Sequence, residues 1–284
     1  MPSVPAKKVS TKKNAYDHIV DPAFTPDEEE QAAYATFSAI VRQLRRDCPW
    51  DREQTHESVK HLLIEEAYET VSAIDEGDLD GLCEELGDLL LHVAFHGVIA
   101  EGDERFSITD IIRKETAKLV KRHPHVFEDT QVKDSGSVMR NWERIKLAEG
   151  AKKSALEGVP RQLPALLRAH RIQQKASGVG FDFPERADAW KKVVEEIREF
   201  AEVDAPGVSP EEREREFGDV LFALVNYARM SGLNAENALS RTNDMFVRRF
   251  RHIEERLAAS GRTPAEADLT EMDAFWEEAK GLDA

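Results

Sequence analysis

The chain has 284 residues, 41% hydrophobic and 33% charged, which is enough apolar material for real cores beneath a water-exposed surface. Its 55 acidic residues outnumber 39 basic ones, a formal charge of −16, and this argues against nucleic acid as a partner because phosphate backbones need local basic surface. Cys48 and Cys83 are too few for a disulfide framework or a cysteine zinc site, so a reducing cytoplasm is the expected compartment.

Apolar residues recur at spacings of three and four throughout, without an alternating strand pattern, so the expected fold class is all-α. Residues 1–29 read as a flexible basic tail with no apolar stretch of signal-peptide length. Helices are then expected at roughly 30–46, 57–75, 79–101, 108–122 and 135–149. A second series follows at roughly 161–177, 185–202, 210–231, 235–259 and 264–280. Breaks fall at Pro49, Gly77, Gly102, Pro124, Pro160, Pro184, Gly207 and Gly261. Ser107, Ser209 and Thr263 each precede an acid three residues on, the pattern of a helix N-cap. The longest apolar run, LLLHVAFHGVIA at 89–100, is too short to span a bilayer and carries two histidines. It reads as a buried helix, and no membrane partner is expected.

The series repeats. EEAYE (65–69) is followed by ELGD (85–88), and EEIRE (195–199) is followed by EFGD (216–219). LLLHVAF after Asp88 aligns with VLFALVN after Asp219, KLVKRH (118–123) with MFVRRF (245–250), and WERIK (142–146) with WEEAK (276–280). Order and spacing hold over roughly 80 residues, which defines a first helical repeat at 30–150, a connecting segment at 151–184 containing GVGFDFP, and a second repeat at 185–284.

On a helix, residues three apart share a side, so Glu66 projects with Glu69 and Glu85 with Asp88. The intervening loop is short, the two helices should pack antiparallel, and the acid pairs can face each other across the seam. Four carboxylates so placed repel one another unless a cation sits among them. Oxygen ligands in that number suit Mg²⁺, with Mn²⁺ able to substitute. The second repeat offers the same set as Glu196, Glu199, Glu216 and Asp219. A glycine inside each ExGD segment costs about 1 kcal/mol of helix stability relative to alanine, and close approach of a backbone or ligand would explain Gly87 and Gly218. Cations follow each acid set: Lys118, Lys121 and Arg122 in the first half, Arg248 and Arg249 in the second. Trp142 with Lys146, and Trp276 with Lys280, set a ring and a cation on one helix face, which serves either core packing or the stacking of a base with a grip on its phosphate.

At these residues the sequence resembles the MazG family of all-α nucleoside triphosphate pyrophosphohydrolases. EExxE…ExxD occurs twice, DCPWDREQTH (47–56) and RHPHVF (122–127) look like first-half hallmarks of two-repeat members, and VGFD (179–182) looks like their mid-chain joint. The resemblance implies Mg²⁺-dependent hydrolysis of a nucleoside triphosphate to monophosphate and pyrophosphate, as nucleotide-pool house-cleaning. It also implies four-helix-bundle active sites assembled in a homodimer. It assigns metal binding to Glu66, Glu69, Glu85 and Asp88 and to Glu196, Glu199, Glu216 and Asp219. Glu65 or Glu69, and Glu195 or Glu199, would orient or deprotonate the attacking water. Lys118, Arg122, Trp142 and Lys146 in the first repeat, and Lys192, Asn226, Arg249, Trp276 and Lys280 in the second, form the nucleotide- and phosphate-binding set. In two-repeat relatives activity belongs to the second repeat. Here Met245 stands where the family carries a phosphate-gripping lysine, whereas the first half keeps Lys118.

Three other readings compete. A dUTPase-like pyrophosphohydrolase would have the same acids and a narrower substrate. A non-catalytic, metal-bound dimerisation or regulatory module would release no pyrophosphate. A di-iron bundle needs an ExxH on each of two helices, and only Glu53–His56 supplies one.

Overall fold

A computed structural model of the chain describes residues 19–128 and 154–282, together with residues 130, 138 and 145. Most of the tail expected at 1–29, and Trp142 and Lys146 of the helix expected at 135–149, lie outside the described residues. The chain separates into two compact units, Met1–Val138 and Met139–Ala284. Every regular element among the described residues is helical, and none of the helices is long and apolar enough to cross a membrane.

In the first unit, α1 (Glu28–Asp47) and a short α2 (Pro49–Glu53) precede the hairpin of α3 (His56–Glu76) and α4 (Leu79–Gly102); α5 (Ile108–Arg122) and a single turn, α6 (Pro124–Phe127), follow. Polar side chains place the helix starts. Thr55 accepts from the Ser58 N–H at 3.1 Å while the Ser58 hydroxyl accepts from the Thr55 N–H at 2.9 Å, a reciprocal cap of the kind that stabilises a helix by about 1 kcal/mol. Ser107 and Asp110 repeat the device on α5. Gly77 ends α3 at φ +71°, a left-handed conformation that turns the chain tightly into α4. Val41, Val59, Ala94, Phe95, Val98 and Ile99 form the core where α1, α3 and α4 meet.

In the second unit, α7 (Ala165–Ser177) packs on the hairpin of α8 (Arg186–Val203) and α9 (Pro210–Met230), and α10 (Ala235–Ala258) pairs with α11 (Leu269–Leu282). α7 thus belongs to the body of this unit, although it falls within the segment read as a connector. Its start is four residues later than periodicity suggests, because Pro164 occupies the cap position and cannot itself extend the hydrogen-bond ladder inward. The helix expected at 264–280 divides into a 3₁₀ turn, Pro264–Glu266, and α11. The turn closes on itself, since Glu266 accepts from both the N–H and the hydroxyl of Thr263, and the chain is extended at Ala267. Val193, Val225 and Leu257 are the largest fully buried side chains among the described residues of this unit.

The glycines of the ExGD segments have no close neighbour among the described residues of the chain itself. A Cβ built at Gly87 or Gly218 meets nothing within 4 Å, so no described backbone or side chain requires glycine at either place. Close approach occurs one helical face away, at Gly97, where a Cβ would lie 3.1 Å from the backbone nitrogen of Ile108 and hold α5 off α4. Gly97→Ala should therefore lower stability by about 1–3 kcal/mol through overpacking. Gly87→Ala should raise it by about 0.5–1 kcal/mol through lost chain entropy. Thermal melts of both variants check this; a fall for Gly87→Ala would show that another chain closes on that face.

Candidate metal centres

The hairpin of α3 and α4 brings carboxylate oxygens of Glu66, Glu85 and Asp88 within 4.8 Å of one another. Glu69 adjoins them closely enough to share a hydrogen bond with Glu66. Partial burial, then the charges of Asp88, Glu69 and Glu65, push the Glu66 carboxyl above the ordinary glutamate range. Glu85 is raised likewise, by desolvation and then by Glu69, Glu66, Asp88 and Glu84. Among the described residues, the charges that raise these two groups are other carboxylates. The basic-looking neighbour does not relieve them: His92 Nε2 lies 3.8 Å from Glu66, but burial lowers the His92 pKa and favours the neutral ring.

The hairpin of α8 and α9 makes the corresponding centre from Glu196, Glu199 and Glu216, again within 4.8 Å. Its electrostatics are opposite. Lys192 Nζ lies 2.8 Å from Glu195 and 2.6 Å from Glu196, and Arg215 lies 2.6 Å from Glu216. Hydrogen bonds to Glu195 and Glu196 push the Lys192 ammonium well above the usual lysine range, and the Lys192 hydrogen bond holds Glu195 below the glutamate range. Glu196 is 7% exposed, so its charge is balanced at short range by Lys192 rather than by bulk water.

Both trios fit a hard divalent cation. Three carboxylates converge from two rigid helices, and oxygen is the donor such ions prefer. In the second centre the ion competes with Lys192 and Arg215 for Glu196 and Glu216. In the first it relieves repulsion directly. Each trio leaves out one member of the fourfold set read from sequence, Glu69 in the first and Asp219 in the second.

Asp219 instead lines a cavity of about 520 Å³ together with Lys192 and Glu196. Ile172, Ala176, Ala189 and Phe222 give this cavity an apolar wall, and the loop from Gly180 to Phe183 contributes to its lining. The loop is anchored by Asp182, which accepts from Arg229 Nη2 at 2.5 Å. Burial opposes ionisation of Asp182, yet the hydrogen bonds from Arg229 and Ser177 and the charge of Arg229 outweigh it and leave its pKa lowered. Arg229 also donates to Asn226 Oδ1 from Nε at 3.1 Å and from Nη2 at 2.8 Å. Asn226 was among the sequence candidates; Gln173, Asp182 and Arg229 were not. Asn226 and Arg229 stand three apart on one helix, and a lone acid within the apolar FDF of the presumed joint was the remaining signal.

The other basic and aromatic candidates do not line this cavity. Trp276 packs on Phe246 with ring centroids 5.1 Å apart, and the Arg249 guanidinium sits 5.5 Å over its ring. Arg249 lines a separate depression of about 320 Å³ with Arg248, Arg251 and His252. Lys280 pairs with Glu277 at 2.5 Å, and Lys118 pairs with Glu115 on α5. Arg122 stands in the last turn of α5.

The MazG nucleotide pyrophosphohydrolase domain matches residues 54–127, the stretch that contains the first centre. Over 260 residues the chain is 44% identical to the nucleoside triphosphate pyrophosphohydrolase/pyrophosphatase MazG of Thermotoga maritima, covering 90% of this chain and 99% of that protein. It is 43% identical over 249 residues to the nucleoside triphosphate pyrophosphohydrolase of Escherichia coli K12, covering 86% of this chain and 95% of the relative. It is also 45% identical over 273 residues to the uncharacterized protein YabN of Bacillus subtilis, where it covers 94% of this chain but spans only 56% of the longer relative. With near end-to-end similarity to two such proteins, and with its acids paired on helix hairpins in both units, the chain belongs to the MazG family.

Proposed function

We propose that this chain hydrolyses nucleoside triphosphates to nucleoside monophosphate and pyrophosphate, with Mg²⁺ as cofactor and Mn²⁺ able to substitute, as a cytoplasmic house-cleaning enzyme. The observation that carries the reading is the juxtaposition in the second unit of a three-carboxylate centre and a largely apolar cavity of nucleoside size. The names of the Thermotoga and Escherichia relatives support the reaction class.

Glu196, Glu199 and Glu216, with Asp219 beside them, would hold the metal in the second repeat; Glu66, Glu85 and Asp88, with Glu69, would do so in the first. A bound divalent cation supplies charge neutralisation of the triphosphate and a lower barrier to attack by water. The chain's own groups do the rest. Lys192 favours the ionised form of Glu195 and pairs with Glu196 before substrate arrives, and can transfer its hydrogen bonds to phosphate oxygens afterwards. Glu195 or Glu199 accepts the proton of the water that attacks the α-phosphorus; the bond from that phosphorus to the bridging oxygen breaks, and pyrophosphate leaves. The apolar wall of the cavity holds the nucleoside end and excludes bulk water. The second repeat is the preferred catalytic one because the cavity opens beside its acids. The first, with its uncompensated carboxylates, suits a cation-held structural role.

A homodimer is part of the proposal. Ile64, Tyr68 and Leu86 on the first hairpin, and Val194, Ile197 and Phe217 on the second, are exposed. A two-helix hairpin with apolar residues left outside completes its packing when a second hairpin makes it a four-helix bundle.

Combined Glu216→Gln and Asp219→Asn replacement is expected to reduce Mg²⁺-dependent pyrophosphate release from a nucleotide panel at least about a hundredfold. Glu85→Gln with Asp88→Asn should leave most of it; the reverse pattern would make the first repeat the catalytic one. A second outcome concerns stability. Glu85→Gln should raise the melting temperature of the metal-free chain, because one repelling charge is gone. It should also shrink the increment that Mg²⁺ gives, about 2.7 kcal/mol per site at a hundred times Kd. Differential scanning calorimetry with and without chelator reads both effects.

A further inference from the structure

The cavity of the second unit holds a hydrogen-bonding group that phosphate and metal chemistry leave unused. Gln173 on α7 is 6% exposed, and its Nε2 donates to the main-chain carbonyl of Phe222 at 2.8 Å. A carbonyl only accepts, so this bond fixes the amide: nitrogen toward Phe222, and Oε1 as the remaining acceptor. Gln173 Oε1 is buried and has no partner among the described residues. Buried acceptors are ordinarily satisfied, and Gln173 is one of the residues that line the cavity.

The opposite polarity stands on the neighbouring helix. Asn226 Oδ1 is engaged by Arg229, which leaves the Asn226 amide nitrogen as the donor that this side chain offers. The cavity wall therefore combines an acceptor with a donor, and Phe181, which is 83% exposed, and Phe222 add aromatic surface. Lys192, Glu196 and Asp219 line the same space and mark where the phosphates belong. An apolar slot with aromatic faces and one fixed acceptor fits a planar heterocycle that presents an N–H on its edge.

We propose that Gln173 is a specificity-determining residue, whose Oε1 accepts a hydrogen bond from an edge N–H of the nucleobase held in this cavity. The proposal rests on the reading of the second unit as the nucleotide site. Adenine and cytosine present an exocyclic amino group, and uracil presents its N3–H; a base stripped of that N–H would bury the acceptor unpaired. The same bond explains breadth, because one acceptor accommodates any base that brings a donor to it, and the Watson–Crick edge of each natural base does.

Matched nucleoside monophosphates test this by calorimetry in the presence of chelator. AMP is compared with purine riboside monophosphate, CMP with pyrimidin-2-one riboside monophosphate, and UMP with 3-methyl-UMP. In each pair the second member lacks the N–H. The intact chain should favour the donor-bearing member of the best-bound pair about tenfold, and Gln173→Met should close the gap. In turnover of the matching triphosphate, the variant should raise KM with kcat little changed. If Gln173 merely pins α7 to α9, Gln173→Met weakens both members equally and the gap persists, which overturns the proposal. An intact chain that hydrolyses triphosphates yet does not distinguish any pair overturns it as well. If no triphosphate is hydrolysed and no monophosphate binds, the nucleotide reading itself fails, and this assignment with it.

Discussion

The structure turns on mutual repulsion among carboxylates that two helices force together. α3 and α4 are fixed by a reciprocal N-cap, a left-handed glycine turn and a core of valine, isoleucine and phenylalanine. Those features bring carboxylate oxygens of Glu66, Glu85 and Asp88 within 4.8 Å of one another. Burial first, and then the neighbouring carboxylates, raise the proton affinity of Glu66 and Glu85. A divalent ion among these carboxylates would relieve their repulsion without disturbing the packing.

The second repeat holds the same acids under different terms. Lys192 and Arg215 occupy Glu196 and Glu216, so its centre is quiet before any ligand arrives. An enzyme that must admit and release a highly charged substrate gains from such an arrangement, because lysine and arginine exchange between carboxylate and phosphate with little reorganisation. Among the described residues, Glu66 has no lysine or arginine partner comparable to Lys192. The two hairpins thus carry acid clusters of related sequence but different electrostatic character.

Much of this was legible in the sequence. Period-3.6 patterning locates the helices because each one buries a single face, and the EExxE…ExxD spacing works because i, i+3 geometry is local. Ser107, Ser209 and Thr263 mark helix or turn starts for the same local reason. What escaped depends on tertiary packing. Gln173 looks like any polar helix residue until the carbonyl of Phe222 meets it across two helices. Asp182 and Arg229 are 47 residues apart, and the lone acid in FDF does not by itself say which cation it meets. No described residue of the chain approaches Gly87 or Gly218, whereas the glycine with a close intrachain neighbour, Gly97, lies within the plain apolar run.

Crystals grown with Mn²⁺, and an anomalous map recorded at the manganese edge, test the central claim most directly. The account predicts manganese peaks between Glu66, Glu85 and Asp88 and between Glu196, Glu199 and Glu216, the second peak accompanied by displacement of Lys192 from Glu196. Saturating Mn²⁺ with no peak at either centre, and with the acids in unchanged positions, would contradict it.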